Sequence, residues 1–112
     1  MMIEKYSFGN ILISGKTYTS DLIICPPKII HPWWRQEGHF LQIIDLQDIL
    51  AEFFDLLIIG TGYYGRMKVA KEVLRDLKKR AEIAIEITPS AIELFNKVSE
   101  YRKTIACLHL SC

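Results

Sequence analysis

The run Leu56-Leu57-Ile58-Ile59, which stops at Gly60, constrains the fold of this chain more than any other stretch. Four branched aliphatic residues without polar alternation are typical of a strand that is covered on both faces, as in the centre of an α/β sheet. A glycine-rich turn ends the run, and a basic segment with helical periodicity follows. The pattern therefore predicts a strand, a tight loop and a helix.

The loop reads Gly60-Thr61-Gly62-Tyr63-Tyr64-Gly65 and leads into Arg66. Glycine permits positive φ, and the first turn of a helix offers free N–H groups to an anion. The candidate anion-binding residues are therefore Gly60, Thr61, Gly62 and Arg66. The spacing also matches the dinucleotide fingerprint, with Glu86 where a ribose-binding acid would lie. Two bulky tyrosines and the short chain argue against a nucleotide, so a structural turn and a simple anion site are the alternatives.

Bulk composition narrows the function classes. The 112 residues predict a single domain, 1–112, and 14 basic against 13 acidic residues give no reason to expect a nucleic-acid partner. No apolar run approaches the roughly 20 residues of a membrane span, and Met1–Lys5 lacks a signal-peptide layout. Cys25, Cys107 and Cys112 have no metal-type spacing, which favours a reduced cytoplasmic protein. We expect neither a metal nor a cofactor.

Short turns divide the first part of the chain. Gly9-Asn10 and Ser14-Gly15-Lys16 predict β-hairpins, and Leu22–Cys25 predicts a further strand that Pro26-Pro27 ends.

The irregular segment from Ile29 to Phe40 is rich in aromatic and basic side chains. Its candidate recognition residues, which could contact a protein partner, are Trp33, Trp34, Arg35 and His39. The alternative is that one tryptophan fills the end of the core while Arg35 stacks or pairs locally. Two histidines alone, His31 and His39, do not predict a zinc site.

Two helices are predicted around the glycine loop. Asp45 is a suitable N-cap for a helix from Leu46 to Phe54, and helical spacing of apolar residues predicts another from Arg66 to Arg80. The second helix has seven basic and two acidic residues on its polar face. That face is a solvated surface or a contact for an acidic partner, and the candidate contacts are Lys71, Arg75 and Lys78.

The last third predicts a strand over Ile83–Ile87, a helix that starts at Thr88-Pro89-Ser90, and a strand over Thr104–Leu110. From Leu56 onward the order is β-α-β-α-β. The predicted fold class is therefore α/β: a small mixed central sheet to which the N-terminal hairpins add. Strand carboxyl ends form the ligand edge of such sheets, which adds Thr88 to the candidate anion-binding residues.

Three residues have side chains suited to acid–base or nucleophilic chemistry: His39, His109 and Cys112. His109 shares its strand parity with apolar neighbours, which predicts a buried histidine with a hydrogen-bond partner. Cys25 and Cys107 lie inside apolar runs and are predicted to pack in the core. No pattern here identifies a catalytic residue, so we lean against an enzyme.

The ordered set of short motifs resembles the domain of unknown function 498 family, of MTH type. The matching pieces are Phe8-Gly9 with Ile11, Tyr18-x-x-Asp21, Trp34-Arg35-x-x-Gly38-His39, Gly60-Thr61-Gly62, Thr88-Pro89-Ser90-Ala91 with Asn96, and Leu108-His109-Leu110-Ser111-Cys112. Ser111 departs from the threonine common in the family but keeps a hydroxyl. The resemblance implies a single-domain α/β fold with a mixed sheet and a surface pocket by the glycine loop. It also implies protein partners, because a family member acts in the assembly of a mitochondrial respiratory complex.

Two functions are thus expected. The first is a non-enzymatic interaction or assembly-helper module. The alternative is a small-anion or nucleotide binder, with or without enzymatic activity, which would use the Gly60-Thr61-Gly62 loop. The oligomeric state does not follow from the sequence.

Overall fold

The structure, a computed structural model, describes every residue from Met1 to Cys112. Its first unit is an antiparallel sheet of β1 (Ile3–Ser7), β2 (Asn10–Ile13) and β3 (Lys16–Tyr18), paired in that order. Gly9 and Gly15 make the turns with φ of +74° and +81°, a region that side chains rarely adopt. The predicted hairpins are confirmed.

A mixed five-stranded sheet forms the centre. It contains β4 (Leu22–Cys25), β5 (Lys28–Ile30), β7 (Leu56–Gly60), β9 (Glu82–Glu86) and β10 (Thr104–Leu108), in the order β5-β4-β10-β7-β9. β10, β7 and β9 are parallel, whereas β4 runs antiparallel to β10. The remaining strands, β6 (Phe40–Leu41) and β8 (Lys68–Val69), form a small parallel pair. The predicted α/β fold with a mixed sheet is confirmed.

The central strand β7 is buried along its whole length. Leu57 and Ile59 face one apolar core together with Ile23, Ile105 and Cys107. Leu56 and Ile58 face a second core on the other side of the sheet, which also receives residues of β1 and β2. Because both faces are covered, the strand needs no polar alternation.

Two α-helices, α1 (Lys71–Leu77) and α2 (Thr88–Val98), cover opposite faces of this sheet. The chain moves outward from β7 to β9 and then back past β7 to β10, so two right-handed crossovers place the helices on opposite sides. Pro89 lies in the first turn of α2, as predicted. Neither helix has the length and apolar character needed to cross a bilayer.

The prediction of a helix from Arg66 to Arg80 is wrong at both ends, because α1 spans only Lys71–Leu77. Met67 is buried in the core, and Lys68–Val69 pairs with Phe40–Leu41 instead of starting the helix. The apolar spacing of Met67 and Ala70 fits a helix equally well, and strand pairing decided between the two. No helix therefore follows the glycine loop directly.

The predicted helix from Leu46 to Phe54 is also wrong. A single 3-10 turn covers Ile43–Leu46, and i→i+3 bonds then carry the chain through Ile49, whose N–H donates to Leu46 O at 3.0 Å. Asp45 does not cap a helix that follows it. Its carboxylate accepts from the amides of Gln42 at 2.8 Å and Gln36 at 3.0 Å. Tertiary packing of Leu46 and Ile49 overrides the local helical pattern.

Candidate functional site

Three ionisable side chains from distant parts of the chain meet at the carboxyl end of β10. Asp21 immediately precedes β4 and His109 immediately follows β10, and the Leu22–Leu108 register places them side by side. Asp21 Oδ2 lies 2.7 Å from His109 Nδ1 and 2.7 Å from Arg35 Nη2. Asp21 Oδ1 accepts a bond of 2.7 Å from the Leu110 amide. We call these residues the Asp21–Arg35–His109 cluster.

The geometry fixes a proton in this cluster. An ionised carboxylate only accepts hydrogen bonds, so His109 Nδ1 carries the proton that it shares with Asp21. Arg35 Nη2 lies 3.2 Å from the same Nδ1, and both nitrogens are then donors to one oxygen, Asp21 Oδ2. His109 Nε2 and Arg35 Nη1 are buried without a hydrogen-bond partner in the protein. The sequence prediction of a buried, hydrogen-bonded His109 is confirmed at Nδ1 alone.

The cluster holds Asp21 in its charged form. Burial acts against ionisation of this carboxyl, but hydrogen bonds from His109, the Leu110 amide and Arg35 outweigh it. The pKa of Asp21 therefore lies below its usual range. The carboxylate thus orients the imidazole ring and the guanidinium at once.

Arg35 is fixed from several sides. Its Nε and Nη2 donate to Gly38 O at 3.1 and 2.9 Å, and its guanidinium carbon lies 4.6 Å from the centre of the Trp33 ring. Trp33 is buried and donates from Nε1 to Asp45 O at 2.8 Å. The alternative in which one tryptophan fills the core and Arg35 pairs locally is therefore confirmed. Trp34, by contrast, is 80% exposed.

The glycine loop packs against the same cluster. Gly62, at φ +111°, lies so close to Cys112 that a Cβ would overlap its backbone and stand 2.8 Å from His109 Cδ2. A Cβ at Gly60 would lie 2.9 Å from Thr88 Oγ1. Buried Thr88 connects the glycine loop to the end of β10, because its hydroxyl accepts from the Gly62 amide at 2.8 Å and donates to His109 O at 2.6 Å. These glycines serve close packing within the chain.

Most amides of the loop already have partners. Thr61 N donates to Glu86 O at 2.9 Å, Tyr63 N to Ser111 O at 2.7 Å, and Arg66 N to Cys112 O at 3.1 Å. Gly65 N donates within the loop to Gly62 O at 3.2 Å. The structure thus brings Gly60, Thr61, Gly62 and Thr88 together, while the Arg66 side chain is exposed beside them.

An aromatic cluster covers the outer side of this loop. Tyr63 and Tyr64 pack on each other with ring centroids 5.0 Å apart, and Phe8 lies 6.1 and 6.0 Å from them. Tyr6 adds a fourth ring, 6.1 Å from Tyr63, and its hydroxyl donates to Leu110 O at 2.6 Å. Burial, followed by the charges of Tyr63 and Asp21, raises the pKa of Tyr6 to about 12. We call these four residues the aromatic cluster.

The other predicted contacts are spread over the surface. His39 is exposed, although its ring centroid lies 5.4 Å from that of His109. Lys71 and Arg75 are exposed on α1, and Lys78 is exposed directly after it. No three His, Cys, Asp or Glu side chains are arranged to hold a metal ion. Cys25 and Cys107 are buried as predicted, and burial raises the pKa of each thiol.

Sequence reasoning missed the central role of Asp21 and the aromatic cluster. Asp21 figured only as a motif position, although an acid directly before a fully apolar strand is itself a signal of a buried partner. Tyr63 and Tyr64 figured only as an obstacle to nucleotide binding. Their pairing with Phe8 depends on tertiary packing and has no local signature.

Comparison with known proteins places this chain in a family. The sequence model of the proteins of unknown function DUF498/DUF598 matches residues 3–109. The chain belongs to the DUF498/DUF598 family. Asp21, Arg35 and His109, which are three of the motif positions that carry the resemblance, meet in the Asp21–Arg35–His109 cluster, and Gly62 packs against His109.

Proteins similar to this DUF498/DUF598 chain occur in a fish, an archaeon and a bacterium. It is 31% identical over 110 residues to the zebrafish (Danio rerio) NADH dehydrogenase [ubiquinone] 1 alpha subcomplex assembly factor 3, covering 94% of this chain but only 61% of that protein. A conserved hypothetical protein of Pyrococcus horikoshii is 28% identical with a TM-score of 0.87, and each chain is covered completely. An outer membrane protein of Bartonella henselae shares the fold at 23% identity, with a TM-score of 0.81 and 98% and 94% of the two chains covered.

Proposed function

We propose that this DUF498/DUF598 chain is a non-enzymatic protein-interaction module that helps a larger complex to assemble. The observation that carries the proposal is the aromatic cluster on the surface. Phe8 is 50% exposed, Tyr63 41% and Tyr64 67%, although their rings contact one another. Contiguous exposed apolar surface marks interaction sites, and aromatic residues supply much of the binding energy at interfaces. The assembly-factor relative supports the same class of function.

Trp34 and His39 extend the proposed contact surface beyond the aromatic cluster. Trp34 is 80% exposed, and in the sequence it lies between Trp33 and Arg35, whose side chains are buried. In this proposal Trp34 and His39 contact the partner directly, whereas Trp33 and Arg35 hold that loop in place. Lys71, Arg75 and Lys78 provide a second, electrostatic contact for an acidic surface.

The experiment is a measured binding isotherm with an identified partner. The tagged chain captures partners from cells of its source, mass spectrometry identifies them, and each is then purified. Replacing Phe8, Tyr63 and Tyr64 together by serine is expected to weaken binding by at least about 100-fold, because aromatic residues at an interface each contribute about 1–2 kcal/mol. The matched control replaces Phe53 and Tyr101 by serine, since these are 72% and 81% exposed elsewhere. Equal losses in both variants, or no loss in the first, would contradict the proposal.

The electrostatic contact has its own variant. Lys71→Glu, Arg75→Glu and Lys78→Glu together reverse the charge of the α1 surface. The expected result is a slower association with the partner and a smaller dependence of the association rate on salt. Unchanged association kinetics would remove α1 from the interface without affecting the aromatic contact.

The second candidate function is binding of a small anion or nucleotide at the glycine loop. The exposed Arg66 side chain beside the loop favours it. The amides of Thr61, Gly62, Tyr63 and Gly65 are already bonded within the chain, which gives this candidate less support. An amide NMR titration with phosphate, NAD, NADP, ATP and FMN tests it. Saturable shifts at Thr61, Gly62 and Arg66 would establish the site, and their absence would reject it.

We further propose that the chain acts in the cytoplasm. Its three cysteines are unpaired, which fits a reducing compartment. Fractionation of cells followed by immunodetection tests this placement, and recovery in a membrane or organelle fraction would contradict it.

A further inference from the structure

A cleft of about 330 Å³ opens over the Asp21–Arg35–His109 cluster. We call it the Asp21 cleft. Its floor includes Asp21 and Arg35, its rim includes Trp34 and Pro32, and Ser20 and Ser111 add hydroxyl groups. A concave site of this size with an apolar rim and a few convergent polar groups has the properties of a small-molecule site.

Arg35, which lines the cleft, carries one buried donor that has no partner within the protein. The Arg35 side chain is only 4% exposed, and Nε and Nη2 both have partners. Nη1 has none within the protein. A buried donor without an acceptor costs about 1–3 kcal/mol, so an oxygen that reaches Nη1 recovers free energy on binding.

Charge limits the kind of oxygen that fits. The Asp21 carboxylate lies 2.7 Å from the Arg35 guanidinium, so the two charges at the floor neutralise each other. A ligand with its own net charge would have to be desolvated beside this neutral pair without a counter-charge, which is costly. A neutral acceptor such as an amide carbonyl has no such cost.

The rim selects for shape. Trp34 is 80% exposed and lines the cleft, so its indole ring is available to a planar group. We propose that the Asp21 cleft binds a small neutral ligand that has a planar apolar body and a carbonyl oxygen. The planar body lies on Trp34 and the oxygen accepts from the guanidinium of Arg35. This inference goes beyond the proposed protein interaction and does not depend on it.

Three probes with the same heavy-atom skeleton and different charge test the proposal: benzamide, benzoate and benzamidinium. Each is titrated into the full chain and followed by amide and indole NMR shifts. Benzamide is expected to bind saturably with a Kd of about 1–10 mM, as suits a fragment of its size, with shifts at the Trp34 indole and the Ser111 amide. The charged probes are expected to bind at least about tenfold more weakly. No saturable benzamide shift, shifts outside the cleft, or tighter binding of a charged probe would overturn the proposal.

Variants locate the two contacts. Trp34→Ala changes an exposed side chain, so it is expected to keep the fold and to weaken benzamide binding about tenfold. Tyr101→Ala is the matched control, because Tyr101 is 81% exposed outside the cleft, and it is expected to change nothing. Equal affinity in Trp34→Ala and the unaltered chain would overturn the stacking contact.

The Arg35 contact needs two measurements because Arg35 is part of a buried network. Arg35→Lys keeps the charge but loses the forked donor, and where it folds it is expected to weaken benzamide binding while leaving the preference over benzoate intact. Side-chain NMR of Arg35 in the unaltered chain tests the same contact whether or not Arg35→Lys folds. The Nη1 protons are expected to move downfield as benzamide saturates the site, and unmoved protons at saturation would overturn the contact.

Discussion

Two clefts of similar size lie at opposite ends of β10, and they differ in what lies beneath them. The Asp21 cleft, of about 330 Å³, lies beyond the carboxyl end of the strand, over a buried ionic cluster. The other, of about 350 Å³, is lined by Thr104 and Ile105 at the amino end, by Cys25, and by charged residues such as Glu100 and Lys103. We call it the Cys25 cleft. The two clefts have nearly the same volume. They differ because only the Asp21 cleft lies over polar side chains that come from distant parts of the chain and bond to one another.

The difference follows from the direction of the strands. The carboxyl ends of the parallel strands β7, β9 and β10 meet at one edge, where loops from several parts of the chain can converge. Gly62, Thr88 and His109 all follow such strand ends and are joined by hydrogen bonds. At the amino ends the connections are exposed, and their charged side chains pair at the surface, as Arg102 does with Glu82 at 3.1 Å. Changes beneath the Asp21 cleft should therefore be far more costly than changes at the Cys25 cleft.

The largest expected effect is that of Asp21→Ala. Removal of this carboxylate leaves Arg35 buried without its counter-charge, and breaking a buried ion pair in this way costs about 3–5 kcal/mol. Urea unfolding followed by circular dichroism measures the loss. The matched change at the Cys25 cleft is Glu100→Ala, an exposed residue expected to cost less than about 0.5 kcal/mol. Similar costs at both sites would remove the contrast between the clefts.

Gly62→Ala is expected to destabilise the chain by about 1–3 kcal/mol, because a Cβ there has no room and the backbone adopts positive φ. Gly38→Ala is the control. Gly38 also lines the Asp21 cleft, but no atom lies within 4 Å of the position of its Cβ. Thermal unfolding of the two variants compares them. A loss of stability in Gly38→Ala as large as that in Gly62→Ala would show that the close approach of Gly62 to Cys112 is not the cause.

Two buried threonines sharpen the comparison further. Thr88→Val removes a hydroxyl that accepts from Gly62 N and donates to His109 O, which leaves both groups unsatisfied at an expected cost of about 1–3 kcal/mol. Thr104→Val, at the Cys25 cleft, removes one bond of 3.0 Å to Arg102 O and is expected to cost about 0.5–1.5 kcal/mol. Chemical denaturation of both variants decides the order. A more costly Thr104→Val would contradict the comparison.

The smallest expected effect is on the pH dependence of stability. The folded-state pKa of Asp21 lies below the unfolded value of about 3.9, so its contribution is fully present above about pH 4 and is lost as the pH falls through the folded value. The free energy of unfolding of the unaltered chain should thus decline below about pH 4 more steeply than that of Asp21→Asn. Urea unfolding from pH 2.5 to 7 measures both slopes. Asp48→Asn, at an exposed site, should keep the steep decline. Parallel curves for Asp21→Asn and the unaltered chain would show that the cluster does not hold the carboxylate ionised.

Most of the fold was predictable because its patterns are local. The uninterrupted apolar run of β7 indicated a strand buried on both faces, and Pro89 in the first turn marked the start of α2. The prediction of a helix over Arg66–Arg80 was wrong because its pattern is not decisive locally. The same apolar spacing suits a helix and a buried loop followed by a strand. Pairing of Lys68–Val69 with Phe40–Leu41 settled that segment, and no local pattern encodes it.

The candidate site was predictable only in pieces. The glycine loop and Thr88 were placed at one sheet edge from strand order alone, and the structure brings them together. Trp33 and Trp34 are neighbours with opposite roles, because the first donates its N–H to Asp45 O in the core and the second is exposed. A sequence of two tryptophans does not say which one the core accepts.

The sequence by itself determined the element types of β7, α2 and the N-terminal hairpins, because apolar periodicity and turn chemistry act over a few residues. Only the tertiary structure decided that Asp21 and His109, 88 positions apart, share a hydrogen bond. That contact depends on the register in which Leu22 meets Leu108. Register is set by burying two apolar faces at once, so the buried charges meet through packing that no short stretch of sequence specifies.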